Sequence, residues 1–354
     1  MKTFSFPALS AILFLGSVAM ACTGFAGVHD HFLPLNGTFA ISNQIPLNSA
    51  GYGISDFGQG AYMITDGAYQ TFVLVSTDGV IVVDAPPTTG HNIQHAIATL
   101  TPLPVRWFIY SHSHADHAGG AYLFANQTSP TVTTIAHAHT ASQLAAANDP
   151  HRPVPSITFD ANYTLTAGNQ TLHLSFPGIG HDLGNIIIYS PAHKILMMVD
   201  QIYAGWVPFW NLAASLYVPG WIDAHDVILS YDFDVYLGGH MGGPGNRTDV
   251  EVQREYVADL YRHCADALIE SGIKGSEVDI GVISEEVLGR NPGNVWAQFA
   301  VYLDAVAGLC YERVSGKWLG RLAAQDVFGF SHARTMVSSL RLDYDVLGPN
   351  GVRG

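Results

Sequence analysis

Charge is scarce in this chain. Only 12% of its 354 residues are Asp, Glu, Lys or Arg, and Lys plus Arg number 15 against 29 Asp plus Glu. The resulting formal charge of -14 repels phosphate backbones and anionic lipid, which argues against nucleic acid as a partner. A small uncharged or amphiphilic organic molecule fits this balance better. Cysteine is nearly absent: Cys22, Cys264 and Cys310 are the three, too few for a disulfide-dense scaffold. With 48% hydrophobic residues the chain is far too apolar for disorder and long enough to bury one large core or two smaller ones.

Long apolar runs are also few, and the one at the start reads as a leader. Met1-Lys2-Thr3 carries one positive charge and precedes an apolar run from Phe4 to Met20. Ala19-Met20-Ala21 supplies a small-x-small cleavage pattern, so residues 1–21 are expected to be a signal peptide and Cys22 the first mature residue. A membrane anchor is the alternative, but Pro7, Ser10, Gly16 and Ser17 interrupt the run and it is short for a bilayer span. Lipid attachment at Cys22 is a further alternative, with Ala19 a poor match for the Leu usual three residues before such a cysteine. Asn-x-Ser/Thr sequons at Asn36, Asn126, Asn162 and Asn246 make a secreted, glycosylated protein the expectation, free of the membrane once cleaved. A Cys264–Cys310 bridge is expected because both cysteines stand on predicted C-terminal helices. Cys22 would then remain free, although spacing alone does not fix the pairing.

After an N-terminal arm over 22–54, strand-like runs stand at Ala61–Ile64, Thr71–Val75 and Val80–Val83, with an Asp78-Gly79 turn between the last two. His91–Leu100 reads as a helix because Ile93, Ile97 and Leu100 share a face. Val105–Tyr110 is the next strand, followed by Thr131–Ala136, a helix at Thr140–Ala147, and strands at Gln170–Phe176, Asn185–Tyr189, Ile195–Val199 and Asp234–Leu237. Strands interleaved with helices predict an α/β layered catalytic domain over 55–248. Residues 249–354 read as a helical extension packed on that core, with helices at Val250–Glu270 and Val295–Val314 and short elements at Leu319–Ala324 and His332–Leu342. No internal repeat has a fixed period, yet the front and back halves leave room for a pseudo-duplication. The oligomeric state is left open.

Against this sparse background, histidine is abundant, and its placement carries the chemistry. His112, His114, Asp116 and His117 fall in the run His-Ser-His-Ala-Asp-His directly after an apolar strand. His181 lies in Gly-Ile-Gly-His-Asp-Leu-Gly-Asn, Asp200 ends Ile-Leu-Met-Met-Val-Asp, and His240 follows Leu-Gly-Gly. A metal ion needs several donors converging at about 2 Å, held by short stiff turns. Seven imidazoles and carboxylates so placed are enough for two divalent cations, and with no cysteine near them the donors must be nitrogen and oxygen. A carboxylate leaving a buried strand end is costly unless a charge meets it, which makes Asp200 the natural bridging ligand. His137 and His139 repeat the His-x-His spacing without a nearby Asp-His pair and read as packing residues, as do the other histidines.

The run Ser-His-Ser-His-Ala-Asp-His-Ala-Gly-Gly at 111–120 resembles the His-x-His-x-Asp-His signature of the metallo-β-lactamase superfamily. The likeness continues through Gly180-His181, Val199-Asp200 and Gly239-His240. The resemblance implies a four-layer αββα sandwich with a C-terminal helical extension. It implies one cation on His112, His114 and His181, a second on Asp116, His117 and His240, and Asp200 between them. The cations would be zinc first, with manganese or iron as alternatives. It further implies that Asp84, ending Val-Ile-Val-Val-Asp, steadies the ligand loop from behind; an ordinary strand-end turn residue is the plainer reading. Asp200 at the bridging place is similar to lactonases, thioester hydrolases and phosphodiesterases rather than zinc β-lactamases. Tyr203, three residues on, resembles the tyrosine that acyl-homoserine lactonases point at the substrate carbonyl; a packing tyrosine is the alternative.

The expected activity is hydrolysis of a lactone or other carboxylic ester by metal-bound hydroxide, with Asp116 and Tyr203 as the catalytic side chains. A β-lactamase or other C–N hydrolase on the same centre is the runner-up. An oxygen-handling redox enzyme would be marked by iron and by loss of turnover without oxygen, and a nonenzymatic binding module by indifference to His114→Ala. The aromatic stretch from Trp206 to Trp221 is expected either to roof a substrate pocket or to form a seam against the C-terminal helices or a second subunit. Arg106, Lys194 and Arg247 are isolated, which disfavours a phosphate-dense substrate.

Overall fold

Alternation of apolar side chains builds two sheets that face each other. The structure, a computed structural model, describes residues 32–35 and 39–351. The signal-peptide segment, Cys22 and the sequon at Asn36 lie outside the described residues. The chain divides after Pro34 into two units, and the architecture below is that of the second.

The first sheet runs in order β1 (Gly53–Gly58), β2 (Ala61–Thr65), β3 (Gln70–Val75), β4 (Val80–Val83), β5 (Val105–Ile109), β6 (Thr133–His137) and β7 (Ile157–Phe159). It is antiparallel as far as β4 and parallel from β4 to β7. The second sheet holds β8 (Asn162–Ala167), β9 (Gln170–Ser175), β10 (Ile187–Ser190), β11 (Ile195–Met197) and β12 (Val235–Leu237), antiparallel except for the β11–β12 pair.

Because successive strand residues point to opposite faces, Phe72, Leu74, Ile81 and Val83 of the first sheet meet Leu172, Leu174, Ile188 and Met197 of the second in one buried layer. The alternate residues Val73, Val80 and Val82 pack outward on Ile93, Ala96 and Ile97 of α1 (His91–Leu100) and Leu144 of α2 (Ala138–Ala147). On the other side Ile187, Leu196 and Met198 pack on Ala224 and Ile228 of α3 (Val218–Leu229). The layers are therefore α/β/β/α. Strands buried on both faces read as unbroken apolar runs, which is why they were legible.

Four long helices follow: α4 (Arg247–Glu270), α5 (Ile280–Arg290), α6 (Val295–Trp318) and α7 (Gln325–Asp343). Asn246 caps α4 reciprocally with Asp249, and Cys264 of α4 is joined by a disulfide to Cys310 of α6. Their shared core reaches back to Tyr203, Val207, Leu212 and Trp221.

Several elements differ from the sequence reading. β1 starts inside the stretch read as an arm, and the edge strands β7 and β8, which bury one and two side chains, were missed. The aromatic stretch conceals α3, started by Pro219 in its first turn. α5 was missed because it buries no side chain fully, with Ile280 and Ile283 only partly covered. The element expected at Leu319–Ala324 is a turn with isolated bridges, and α7 begins before His332, at Gln325.

The two sheets share one local device. Asp84 follows β4 and Asp200 follows β11 by three residues, and both adopt φ of 61°. Each of these strands pairs in parallel with the strand that runs into a histidine loop, β5 before His112 and β12 before His240. The backbone amide of Asp84 donates to Ile109 and that of Asp200 to Gly238, both at 3.0 Å.

Candidate metal centre

The loop after β5 is fixed from behind before any ligand is considered. Asp84 Oδ1 accepts the Ser111 amide at 2.8 Å, the Ser111 carbonyl accepts the Ile186 amide, and the His117 carbonyl accepts that of Ala85. Ser111 Oγ lies 2.9 Å from His112 Nδ1, which leaves Nε2 to face inward. Burial pushes the Asp84 carboxyl up to about 6, against the opposing pull of His117 and Ser111. Asp84 is thus a buried clamp on the loop.

The His181 loop approaches by contact with bare backbone. A side chain at Gly184 would meet Thr140 Oγ1 at 2.3 Å, so close approach, not a left-handed conformation, requires glycine there. Gly239 requires it for both reasons: φ is +84°, and a Cβ would lie 2.5 Å from Val199 and 3.2 Å from His117.

All seven sequence-predicted ligands come together, in two groups: His112, His114, His181 and Asp200, and Asp116, His117 and His240. His114 Nδ1 and His181 Nε2 are 3.0 Å apart, as are His117 Nε2 and His240 Nε2. Asp200 touches both groups. Its Oδ2 lies 3.4 Å from His112, 3.1 Å from His181 and 3.2 Å from His117, and its Oδ1 lies 2.8 Å from His240. Asp116 Oδ2 stands 3.5 Å from His117 and 3.7 Å from His240. Donors about 2.0–2.1 Å from a tetrahedral cation lie roughly 3.3 Å from one another, so the nitrogen and oxygen spacing is that of a ligand shell.

Electrostatics agree. Burial would raise the Asp200 carboxyl, but His117, His181 and His240 outweigh it and hold it well below the usual carboxylate range. Burial and then its neighbouring imidazoles push His112 far down, leaving a neutral nitrogen donor. Burial also opposes charge on His117, yet Asp200, Asp116 and Asp84 raise it. That position favours positive charge, whether a proton or a cation. The residues fit two divalent cations.

Above the ligands lies a pocket of about 410 Å³ bordered by Tyr69, His114, Asp116, Tyr203, Phe209 and His240 among others. No Lys or Arg among the described residues lines it. Tyr203 is buried, donates its hydroxyl to Asp200 Oδ1 at 3.0 Å and lies flat on His240 at 5.7 Å between centroids. Burial, then the Asp200 charge, raises its phenol far above the ordinary value.

Three participants escaped sequence reading. Tyr69, in the β2–β3 turn, packs on His117 and His240 at 5.4 and 4.7 Å, and burial followed by the Asp116 and Asp200 charges lifts its phenol to about 12. Gln70 donates to the carbonyls of His240 and Gly243, both at 3.1 Å, and accepts from the Gly239 amide. Asp182 accepts from the Ser113 hydroxyl at 3.1 Å and from Gln143 at 2.6 Å. The only signal for these was proximity in sequence to a strand end or a ligand.

Among the described residues, the remaining histidines stay outside. His137 Nε2 donates to the Asp160 carbonyl, and its ring stacks on Phe176 at 4.0 Å. The aromatic stretch divides by residue: Trp206 and Phe209 border the pocket region, whereas Trp221 is fully buried.

A family model described as the metallo-beta-lactamase superfamily matches residues 64–255. The chain is 29% identical over 183 residues to a 2,4-dinitroanisole O-demethylase subunit alpha from Nocardioides sp. (strain JS1661), covering 51% of this chain and 54% of that protein. It is 29% identical over 156 residues to a metallo-beta-lactamase type 2 from Elizabethkingia meningoseptica, covering 44% and 60%. It thus spans between half and two thirds of the length of these curated relatives. Among solved structures, a metallo-beta-lactamase from Pontibacter korlensis superposes with a TM-score of 0.50 at 21% identity, over 58% of this chain and 97% of that one. That likeness speaks to the fold. With the α/β/β/α layers, the ordered ligand motifs and a family match across most of both sheets, this chain belongs to the metallo-β-lactamase superfamily, a family of metal-dependent hydrolases.

Proposed function

We propose that this protein hydrolyses an uncharged lactone or other carboxylic ester with the help of two divalent cations. The observation that carries the reading is the Asp200 carboxylate, in contact with histidines of both groups beneath a pocket without Lys or Arg. His112, His114 and His181 would hold one cation, Asp116, His117 and His240 the other, and Asp200 both. When bound, such a pair supplies Lewis acidity and a water of lowered pKa, zinc being the first expectation and manganese or iron the alternatives.

The chain's own residues do the rest. Asp116 stands at the pocket rim with its side chain 43% exposed, placed to orient water toward a carbonyl carbon. As the new C–O bond forms and the ester C–O bond breaks, Asp116 receives the water's proton and passes it to the departing alkoxide. The phenol of Tyr203, kept protonated by burial and by Asp200, would turn its one proton from Asp200 Oδ1 toward the tetrahedral oxyanion once cations engage that carboxylate. Tyr69 packs on the His117 and His240 rings and helps hold their orientation.

An uncharged substrate is supported by the described lining of the pocket, which offers no Lys or Arg to the carboxylate of a β-lactam antibiotic. The substrate in the name of the Nocardioides relative is likewise an uncharged aromatic ether. β-Lactam hydrolysis on the same centre is the alternative that the Elizabethkingia relative suggests. Secretion is supported by the Cys264–Cys310 bridge, which suits an oxidising compartment, and glycosylation by the exposure of Asn126, Asn162 and Asn246.

The test is a panel of lactone, aryl ester, β-lactam, thioester and phosphodiester substrates after loading with zinc, manganese or iron, with metal content measured in parallel. The expected result is two equivalents of metal and highest kcat/KM on a lactone or ester, abolished by chelation and restored by metal. A tenfold preference for the β-lactam, or turnover indifferent to chelation, would overturn the reading.

A further inference from the structure

A second, smaller chamber adjoins the reaction pocket. It has a volume of about 110 Å³, and its walls away from the ligands are Trp206, Val207, Ala324 and Phe328. Tyr203, Phe209, His240 and Met241 border both spaces. Among the described residues, no Asp, Glu, Lys or Arg lines the chamber.

These walls are held by backbone. The Val207 amide donates to Ala323, and the Ala323 amide donates to Gly205, both at 3.0 Å, so the segment after Asp200 runs beside the entry to α7. Phe328 meets Phe209 edge-on, with centroids 5.4 Å apart and planes at 68°. Asn211 donates its amide to Ser331 Oγ at 3.1 Å, and the His332 ring contacts the Phe209 carbonyl at 3.3 Å. α7 thus shapes one wall directly and anchors another. This helix lies beyond residues 64–255, the span of the family match.

We propose that this chamber is a specificity subsite that receives one apolar group of the substrate, a single aromatic ring or an unbranched alkyl chain of about four carbons. Phe328 sets its depth. The proposal rests on the hydrolase reading for the position of the scissile bond. Size and chemistry choose the occupant: an apolar cavity of roughly 150 Å³ holds benzene and stays dry, and this one is somewhat smaller. An apolar group entering from the reaction pocket would leave the carbonyl beneath Tyr203, whereas a charged group would lose its hydration with nothing to replace it.

The experiment uses γ-lactones whose ring substituent grows from methyl to octyl, followed by proton release, with the metal-loaded protein and its Phe328→Ala and Phe328→Trp variants. For the unaltered protein, kcat/KM is expected to rise about threefold to fourfold with each methylene, up to four carbons or so, and then to level or fall. Phe328→Trp should move that break to shorter chains and reduce the butyl-to-methyl ratio at least tenfold. Phe328→Ala should move it to longer ones. Each ratio is internal to one preparation, so a lower folded fraction cancels. Binding of fluorobenzene to the chelated protein, read by fluorine NMR, gives a measure independent of turnover: Phe328→Trp should abolish it.

The same chain-length profile in all three proteins, with fluorobenzene binding unaltered, would remove the subsite even if metal-dependent hydrolysis holds. Fluorobenzene binding that is lost in Phe328→Trp would uphold the chamber even if no lactone is cleaved.

Discussion

Tyr203 gives its one proton to Asp200 Oδ1 while its ring rests on His240, so removing the hydroxyl should disturb chemistry without removing a ligand. Tyr203→Phe is expected to lower kcat tenfold to a thousandfold through loss of one transition-state donor, with metal content unchanged. Steady-state kinetics and metal analysis on the same preparation decide it. Unaltered kcat would reduce Tyr203 to a packing role. The contrast with Tyr69 shows what a linear reading of residues can reach. That the seven candidate ligands converge was legible because imidazoles and carboxylates stood in glycine turns and at strand ends, where burial is costly unless a charge meets them. Tyr69 and Gln70 stood in an ordinary turn and strand start. Their importance comes from His240 and Gly243, some 170 residues away, and no local pattern encodes such a partner.

At the scale of elements, α7 acts through His332. The ring is fully buried, with Nδ1 2.7 Å from the Tyr256 hydroxyl and Nε2 3.3 Å from the Phe209 carbonyl. Burial depresses its pKa to about 4, against the pull of the Phe209 and Pro208 carbonyls. Between that value and its ordinary 6.5 or so, the unfolded chain binds a proton that the folded chain refuses. The stabilisation is therefore complete above about 6.5 and drains away as pH falls through the folded value. In urea titrations of the chelated protein, the unaltered chain should lose on the order of 2 kcal/mol more than His332→Gln between pH 7 and pH 4.5. Equal losses would show that His332 protonates freely in the fold. The helix itself was only partly legible, because its first turns carry Gly329 and leave Val327 and Phe330 exposed. The central strands, apolar throughout, were read almost to the residue.

Across the whole molecule, the C-terminal helices share one core with the loop that follows Asp200, and the Cys264–Cys310 bridge closes 46 residues of them. Loop closure of that size is worth about 4 kcal/mol in the chain-entropy account. Replacing both cysteines by serine should cost roughly that much in urea unfolding, and reductant should then have no further effect on the variant. A loss below about 1 kcal/mol would show that helix packing alone fixes this region. A seam between the aromatic stretch and these helices was one of the two expectations from the sequence, and Val207, Leu212 and Trp221 do share their core; the depth of the chamber was not visible, since it depends on α7 meeting a segment more than a hundred residues earlier.

The twin aspartates after β4 and β11 lead to a last point about the molecule's two halves. Asp84 and Asp200 share a φ of 61° and each follows a strand paired in parallel with one that runs into a histidine loop, yet one grips an amide and the other faces four imidazoles. The same corner has been put to use as a fastener on one side and as a socket on the other. What such a carboxylate does is decided by the company across from it, so reassigning that role would call for changing its neighbours rather than the corner itself.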